Sequence, residues 1–177
     1  YIPYYLDPAS GEYKFCYLAL ITDYYTKEIV GYSVAPTLEA IYAIEALKMA
    51  LDYYKGNDLS QLIHHSDRGV QYACCQYTEL LKRYNIQISM TETGNPKDNA
   101  VAERVNNTIK NELLKGMSFT SISEVLEAVK AAICFYNEER PHLSLDGLTP
   151  REAAKKRGEI DKKWKSYREE AIKAKVA

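Results

Sequence analysis

The 177-residue sequence lacks the features that mark membrane, secreted and metal-stapled proteins. No apolar run approaches the roughly 18 residues that a membrane-crossing helix needs, and no basic-then-apolar leader opens the chain. The four cysteines show no C-x-x-C spacing, which favours free thiols over a structural metal site. We therefore expect a cytoplasmic protein without membrane association. The hydrophobic content of 46% suits the core of one ordinary domain.

An excess of positive charge is also missing, since the formal net charge is −1. The charges are unevenly distributed, however. Residues 151–177 hold ten Lys/Arg and five Asp/Glu, whereas residues 1–150 hold thirteen against nineteen. The sequence thus predicts a core, residues 1–154, and a basic helical tail, residues 155–177; a solvated helix of mixed charge is the alternative for the tail. Carboxylates that hold metal ions need not repel DNA, because bound cations invert the local sign.

The order of the elements predicts an α/β fold. Residues 15–21 and 28–34 read as an antiparallel strand pair that turns near Asp23, and a helix capped by Thr37 follows. Residues 62–65 form the next strand, and a helix and the strand of residues 86–90 complete the series. Further helices begin at capping boxes that open with Ser121 and Thr149. This order fits a mixed sheet with helices on both faces.

Asp67 and Glu103 are the candidate catalytic carboxylates. Asp67 follows the apolar pair Leu62-Ile63 and precedes Gly69, which predicts the end of a buried strand and a turn. Glu103 lies at the edge of an amphipathic helical stripe, which is made by Ala102, Val105, Ile109 and Leu113. Hard divalent cations favour carboxylate oxygens from rigid, separate elements. Taken singly, either residue is more often a turn or a solvated surface group.

Other polar residues surround these acids. Asn107 and Lys110 lie four and seven positions after Glu103 and share its predicted helical face, where a lysine suits a DNA phosphate; solvated surface is the alternative. For His65, which lies beside Asp67, packing or hydrogen bonding is expected rather than a role as a metal ligand. A zinc site built from His64, His65, Cys74 and Cys75 is conceivable but poor in its spacing. The polar loop of residues 91–97 is expected to be mobile.

Three ordered motifs carry a family resemblance. They are HSDRGVQY at residues 65–72, the glutamate of DNAVAERVNNTIKNEL at residues 98–113, and YNEERPHLSLDGLTPREA at residues 136–153. Together they resemble the integrase core of bacterial insertion-sequence transposases, relatives of retroviral integrases. The resemblance implies a ribonuclease H-like, mixed five-stranded sheet whose first strand is truncated here. It also implies DNA transposition by metal-dependent end hydrolysis and strand transfer.

The resemblance assigns the site in detail. Two aspartates and a glutamate bind two Mg²⁺ ions, with Mn²⁺ possible, and Asp67 and Glu103 match the second and third acids. The first aspartate of the family pattern would precede Tyr1, so we expect these 177 residues alone to be inactive. Lys110, Asn107, Arg140 and His142 are candidates to bind double-stranded DNA, at element ends and target; for Arg140 and His142 a structural role is equally expected. A homo-oligomer is also implied.

Two other functions are alternatives to a transposase. A catalytically dead fragment could still bind DNA or dimerise, and the missing first acid favours it for this chain. A ribonuclease of the same fold would cleave RNA in hybrids, and the YNEERPH and LTPREA strings disfavour it.

Overall fold

The computed structural model describes residues 1–7, 9–91, 99–161 and 163. The strands are β1 (Ile2–Asp7), β2 (Glu12–Thr22), β3 (Ile29–Ala35), β4 (Ile63–Ser66) and β5 (Gln87–Met90). The α-helices are α1 (Ala40–Tyr53), α2 (Val70–Ala73), α3 (Cys75–Arg83), α4 (Ala100–Asn107), α5 (Ile122–Glu138) and α6 (Pro150–Ala153). A π-helical segment, Thr108–Leu113, continues α4, and a 3-10 turn spans Leu143–Leu145.

The strands form two hydrogen-bonded groups. β1, β2 and β3 make an antiparallel meander, in which Ile2 pairs with Cys16 and Leu20 with Tyr32. β4 and β5 are parallel and are joined through α2 and α3. The α/β class and the predicted antiparallel strand pair, β2 and β3, are confirmed, but the described strands do not pair into one five-stranded sheet. At the outer edge of β1, the Tyr5 N–H donates to the carbonyl of Phe119 at 2.7 Å, so a loop occupies that position.

Two hydrophobic clusters hold these layers together. The first lies between the meander and the helices that follow Glu103, and its members include Cys16, Val105, Ile109 and Val129. The second joins α1, α3 and β5, and it includes Leu47 and Leu81. Helices therefore cover both sides of the strands, as the order of elements predicted. No helix among the described residues is long and apolar enough to cross a membrane.

The start of α1 differs from the prediction. The helix begins at Ala40 with Glu39 as the N-cap residue, and no side chain caps it. Thr37 instead donates its hydroxyl to the Glu39 carboxylate at 2.8 Å, so it lies too far upstream to reach the first free N–H groups. Ile41 is 46% exposed, because the buried face of the helix is formed by later residues.

The caps of α5 and α6 agree with the sequence. Ser121 accepts a hydrogen bond from the Glu124 N–H, although the Glu124 side chain reaches back to Thr120 rather than to Ser121. Thr149 and Glu152 form the full reciprocal box, with proline in the first turn. The predicted basic tail lies mostly outside the described residues.

Candidate active site

Asp67 lies directly after the last residue of β4, as predicted. Its Oδ1 accepts the Gly69 N–H at 2.9 Å, which closes the turn. A side chain at Gly69 would meet Asp67 Oδ1 at 2.9 Å, so glycine lets the turn pass close to the carboxylate. The preceding strand is not buried, however, because Leu62 is 39% and Ile63 61% exposed. β4 pairs only with β5 among the described strands, so no described strand pairs with its other edge.

Aromatic side chains pack next to the turn that contains Asp67. Tyr72 packs edge-on against Tyr77 with ring centroids 5.5 Å apart, and the Tyr77 hydroxyl lies 3.1 Å from His64 Nε2. Burial, and then the Asp67 carboxylate, raise the pKa of Tyr72. Burial, and then His65, lower the pKa of His64 to about 4, so His64 is neutral at pH 7. The turn therefore rests on uncharged groups.

The alternative zinc site is not supported. His65 Nδ1 lies 2.9 Å from the Ser89 hydroxyl, which agrees with the predicted hydrogen-bonding role. All four cysteines are free thiols. Within residues 1–7, 9–91, 99–161 and 163, no group of three His, Cys, Asp or Glu side chains could hold a metal ion.

Glu103 lies in the first turn of α4 and is exposed. The amphipathic stripe is confirmed, since Val105 is 2% and Ile109 0% exposed in the first hydrophobic cluster. Asn99 is the N-cap residue but provides no side-chain cap. Residues 92–98, which include Asp98 and nearly all of the loop predicted to be mobile, lie outside the described residues.

Asn107 and Lys110 line one depression on the surface. Its volume is about 270 Å³, and its other walls come from the start of β1 and from β2; the lining residues are Tyr1, Ile2, Leu18, Asn106, Asn107, Lys110 and Asn111. The Asn111 amide donates to Asn107 Oδ1 at 2.6 Å. Lys110 also lines an adjoining depression of about 370 Å³ that contains Lys115. Helical spacing predicted that Asn107 and Lys110 share a face, but not the amides beside them.

The π-helical segment was not predicted. In a regular α-helix, seven positions make almost two turns, so Lys110 would lie above Glu103. A π-helical turn contains more residues, which leaves Lys110 short of the second full turn. Hydrophobic spacing does not distinguish the two geometries over so short a stretch, because Val105 and Ile109 are buried in either.

Arg140 and His142 lie at the end of α5 and contact protein groups. Arg140 Nη2 forms an ion pair with Glu112 Oε2 at 2.8 Å. His142 packs edge-on against Tyr136, with ring centroids 4.8 Å apart. Burial is the main cause that lowers the pKa of His142 to about 4, and Arg140 and Lys27 lower it further. Both residues therefore have structural contacts, and their contact with DNA stays a prediction.

The two acids are presented by different parts of the fold. Asp67 follows β4 beside the second hydrophobic cluster, whereas Glu103 belongs to a helix anchored in the first. The Glu103 side chain makes no hydrogen bond or ion pair to other described residues, and Asp67 uses one oxygen for Gly69. Carboxylate oxygens suit Mg²⁺, which proteins often bind through one or two carboxylates together with substrate phosphates. The Asp67 and Glu103 carboxylates are therefore ligands of the chemical type that Mg²⁺ prefers.

The sequence matches known families over most of its length. Residues 5–96 match a family described as Integrase core domain, and residues 74–150 match a second family of the same description. Transposase InsF for insertion sequence IS3A from Escherichia coli is 35% identical over 136 residues, which cover 76% of this chain and 46% of that protein. The chain spans about half the length of the curated relatives it matches.

Solved structures show the same fold at low identity. The HTLV-2 integrase catalytic core domain in complex with magnesium, in a trimeric form, has a TM-score of 0.60 and 18% identity; the match covers 80% of this chain and 88% of that one. The simian T-cell lymphotropic virus intasome with the PP2A regulatory subunit B56 gamma gives 0.67 and 15%, over 84% of this chain and 52% of that one. These likenesses confirm the ribonuclease H-like architecture.

Proposed function

Because the chain belongs to the integrase core domain family, we propose that it is the catalytic core of a transposase that cuts and joins DNA by phosphoryl transfer. The observation that carries the proposal is the placement of Asp67 and Glu103. One follows the end of a strand, the other lies in the first turn of a helix, and both are exposed. Such carboxylates are available to a phosphate substrate together with its cations.

Asp67 and Glu103 would hold Mg²⁺, or Mn²⁺ in its place, with two ions in the complete site. Bound there, the cations would neutralise charge that develops on the attacking and leaving oxygens at phosphorus. The protein's part is to fix the two carboxylates. Gly69 holds the Asp67 side chain through its N–H, and the buried Val105 and Ile109 fix the helix that carries Glu103.

Double-stranded DNA is the proposed substrate, both as element ends and as target. Lys110 offers a positive charge to a phosphate, and Asn107 and Asn111 offer amide groups in the same depression. Those groups lie on α4 and on the π-helical segment that continues it, and α4 also carries Glu103. We further propose a homo-oligomer that acts in the cytoplasm.

The alternative is a fragment that binds DNA or dimerises without chemistry. Among the described residues, no three His, Cys, Asp or Glu side chains form a group that could hold a metal ion, which supports low activity for these 177 residues alone. A protein of the full length of the curated relatives, of which this chain spans about half, should cleave and join element-end DNA when Mg²⁺ is present. The 177-residue chain is expected to bind duplex DNA but not to cleave it.

Substitution of the acids tests the proposal in that longer protein. Asp67→Asn and Glu103→Gln keep the shape but remove a negative oxygen ligand, so strand transfer should fall about a hundredfold or more. The thermal midpoint should change little, since both side chains are exposed. Glu138→Gln is the matched control, because Glu138 is an exposed carboxylate on a different helix, α5, where it pairs with Arg151. Strand transfer at the unaltered rate by either variant would contradict the assignment.

A further inference from the structure

An ion pair joins the end of α5 to the π-helical segment. Arg140 Nη2 lies 2.8 Å from Glu112 Oε2, and the two side chains are 29% and 44% exposed. Arg140 is itself held in place, because its N–H donates to the Phe135 carbonyl at the end of α5. α5 is anchored in the first hydrophobic cluster through Val129 and other residues. The guanidinium therefore projects from a rigid support.

The second oxygen of Glu112 holds the start of the same segment. Thr108, which is 3% exposed, donates its hydroxyl to Glu112 Oε1 at 3.3 Å. At the other end of the segment, the Leu114 N–H donates to the Ile109 carbonyl, five residues earlier, at 3.0 Å. The Glu112 carboxylate thus connects Arg140 to the first residue of the π-helical turn. Lys110 lies inside the stretch that these contacts enclose.

A π-helical turn has poor intrinsic stability and persists where surrounding contacts support it. Here its geometry decides the direction of Lys110 relative to Glu103, because it changes the number of residues per turn between them. Loss of the Arg140–Glu112 contact would let residues 108–113 relax towards the α-helical spacing. Lys110 would then turn about the helix axis relative to Tyr1, Ile2 and Leu18, which form the other walls of its depression.

We propose that Arg140 is a positioning residue, whose ion pair with Glu112 holds the π-helical turn and thereby directs Lys110 towards DNA. The role of Lys110 in DNA binding rests on the proposed function. The support of the π-helical turn by Arg140 and Glu112 does not. Arg140 does not need to touch DNA in this account. Its positive charge is already matched by a carboxylate, which leaves little net attraction for a phosphate.

Glu112→Gln separates a charge effect from a positioning effect, because the two predict opposite changes in DNA affinity. If charge alone mattered, removal of a negative group near DNA would strengthen binding. We expect binding of the 177-residue chain to a 30-base-pair duplex to weaken about three- to tenfold, because Lys110 is no longer directed. Glu138→Gln is the matched control: Glu138 is also 44% exposed and paired with an arginine, and its loss should leave binding unchanged or slightly stronger. Glu112→Gln binding as tightly as this control would overturn the proposal.

Arg140→Ala and the double variant with Glu112→Gln separate positioning from direct contact. Positioning predicts that the double variant binds no more weakly than Arg140→Ala alone, since both changes break one interaction. Direct contact predicts instead that the losses of binding free energy in the two single variants add up in the double variant. It also predicts that Arg140→Ala alone lowers the slope of DNA affinity against salt by about one phosphate contact, and these two results would overturn the proposal.

Hydrogen exchange tests the support of the turn without DNA. The backbone amides of residues 109–114 should exchange faster in Glu112→Gln than in Glu138→Gln, because the turn opens more often. Equal exchange in the two variants would refute the support by Glu112. If the unaltered chain bound no duplex, the proposed function would fail. The exchange rates would still show whether Glu112 supports the π-helical turn.

Discussion

Replacing Arg151 by methionine should leave a buried carboxylate without its counter-charge. Glu28 is 1% exposed at the start of β3, and its Oε1 lies 2.7 Å from Arg151 Nη1. The Tyr53 hydroxyl donates to the other oxygen at 2.7 Å. Oε1 has no aligned hydrogen bond among the described residues, so the ion pair with Arg151 is what offsets its charge. Methionine keeps the length of the side chain and removes the guanidinium.

The size of the effect follows from burial. Removal of one partner of a buried ion pair costs about 3–5 kcal/mol, because the remaining charge is left in a poorly solvated place. Arg151 is 37% exposed, so water can partly replace it, and we expect a loss of about 2–3 kcal/mol.

Urea denaturation measures this loss. A decrease of 2–3 kcal/mol should lower the midpoint by about 1 M with an unchanged slope. Glu138→Gln removes the second, exposed partner of Arg151 and should cost less than about 1 kcal/mol. Adding Glu28→Gln to Arg151→Met should recover part of the loss, because no buried charge then remains. A loss in Arg151→Met no larger than in Glu138→Gln would refute the reasoning.

Three further changes test the packing. Asn137→Ala should cost about 2–3 kcal/mol in urea denaturation, because the buried amide bonds both the N–H and the carbonyl of Ile29, at 3.0 and 2.9 Å; a loss below 1 kcal/mol would contradict this. Gly31→Ala should cost at least about 1–3 kcal/mol, since its Cβ would lie 2.2 Å from the Ala46 carbonyl, and a neutral effect would disprove the close approach of α1. The pKa of His142 is lowered to about 4 in the folded chain, whereas it is near 6.5 in the unfolded chain. The stability that this difference contributes is complete above pH 6.5 and is lost as the pH falls from 6.5 to 4. His142→Phe should therefore reduce the acid-induced loss of stability between pH 6.5 and 4 by about 1–2 kcal/mol, and an unchanged pH profile would contradict the assignment.

Local signals account for what the sequence predicted correctly. The turn after β4 depends on Asp67 and Gly69, which are two residues apart, and the capping box of α6 depends on Thr149 and Glu152. The stripe of Val105 and Ile109 follows from helical spacing alone. Each signal acts within one turn of chain, so its physical cause is present in the sequence whatever the rest of the fold does.

The same local signals failed where neighbours outside the turn decided the outcome. Thr37 is a good capping residue, yet α1 begins three residues later, where its next residues can pack on β3 around Gly31. Ile63 is apolar but 61% exposed, because burial depends on what covers a strand and not on the strand's own composition. Apolar content predicts a tendency to be buried, and the tertiary structure decides which residues are.

The sequence determined the family, the α/β order of elements and the identity of the two candidate acids, because ordered motifs at fixed spacing carry that information. Only the tertiary structure decided the partners of the charged groups. Arg140 and Glu112 are 28 residues apart, and no periodicity relates them. The π-helical turn of residues 108–113, which contains Lys110, likewise contacts α5 and Arg140 and cannot be read from residues 100–113 alone. Ion pairs and helical irregularities of this kind arise from elements brought together by the hydrophobic core, which is why they appear only in the folded chain.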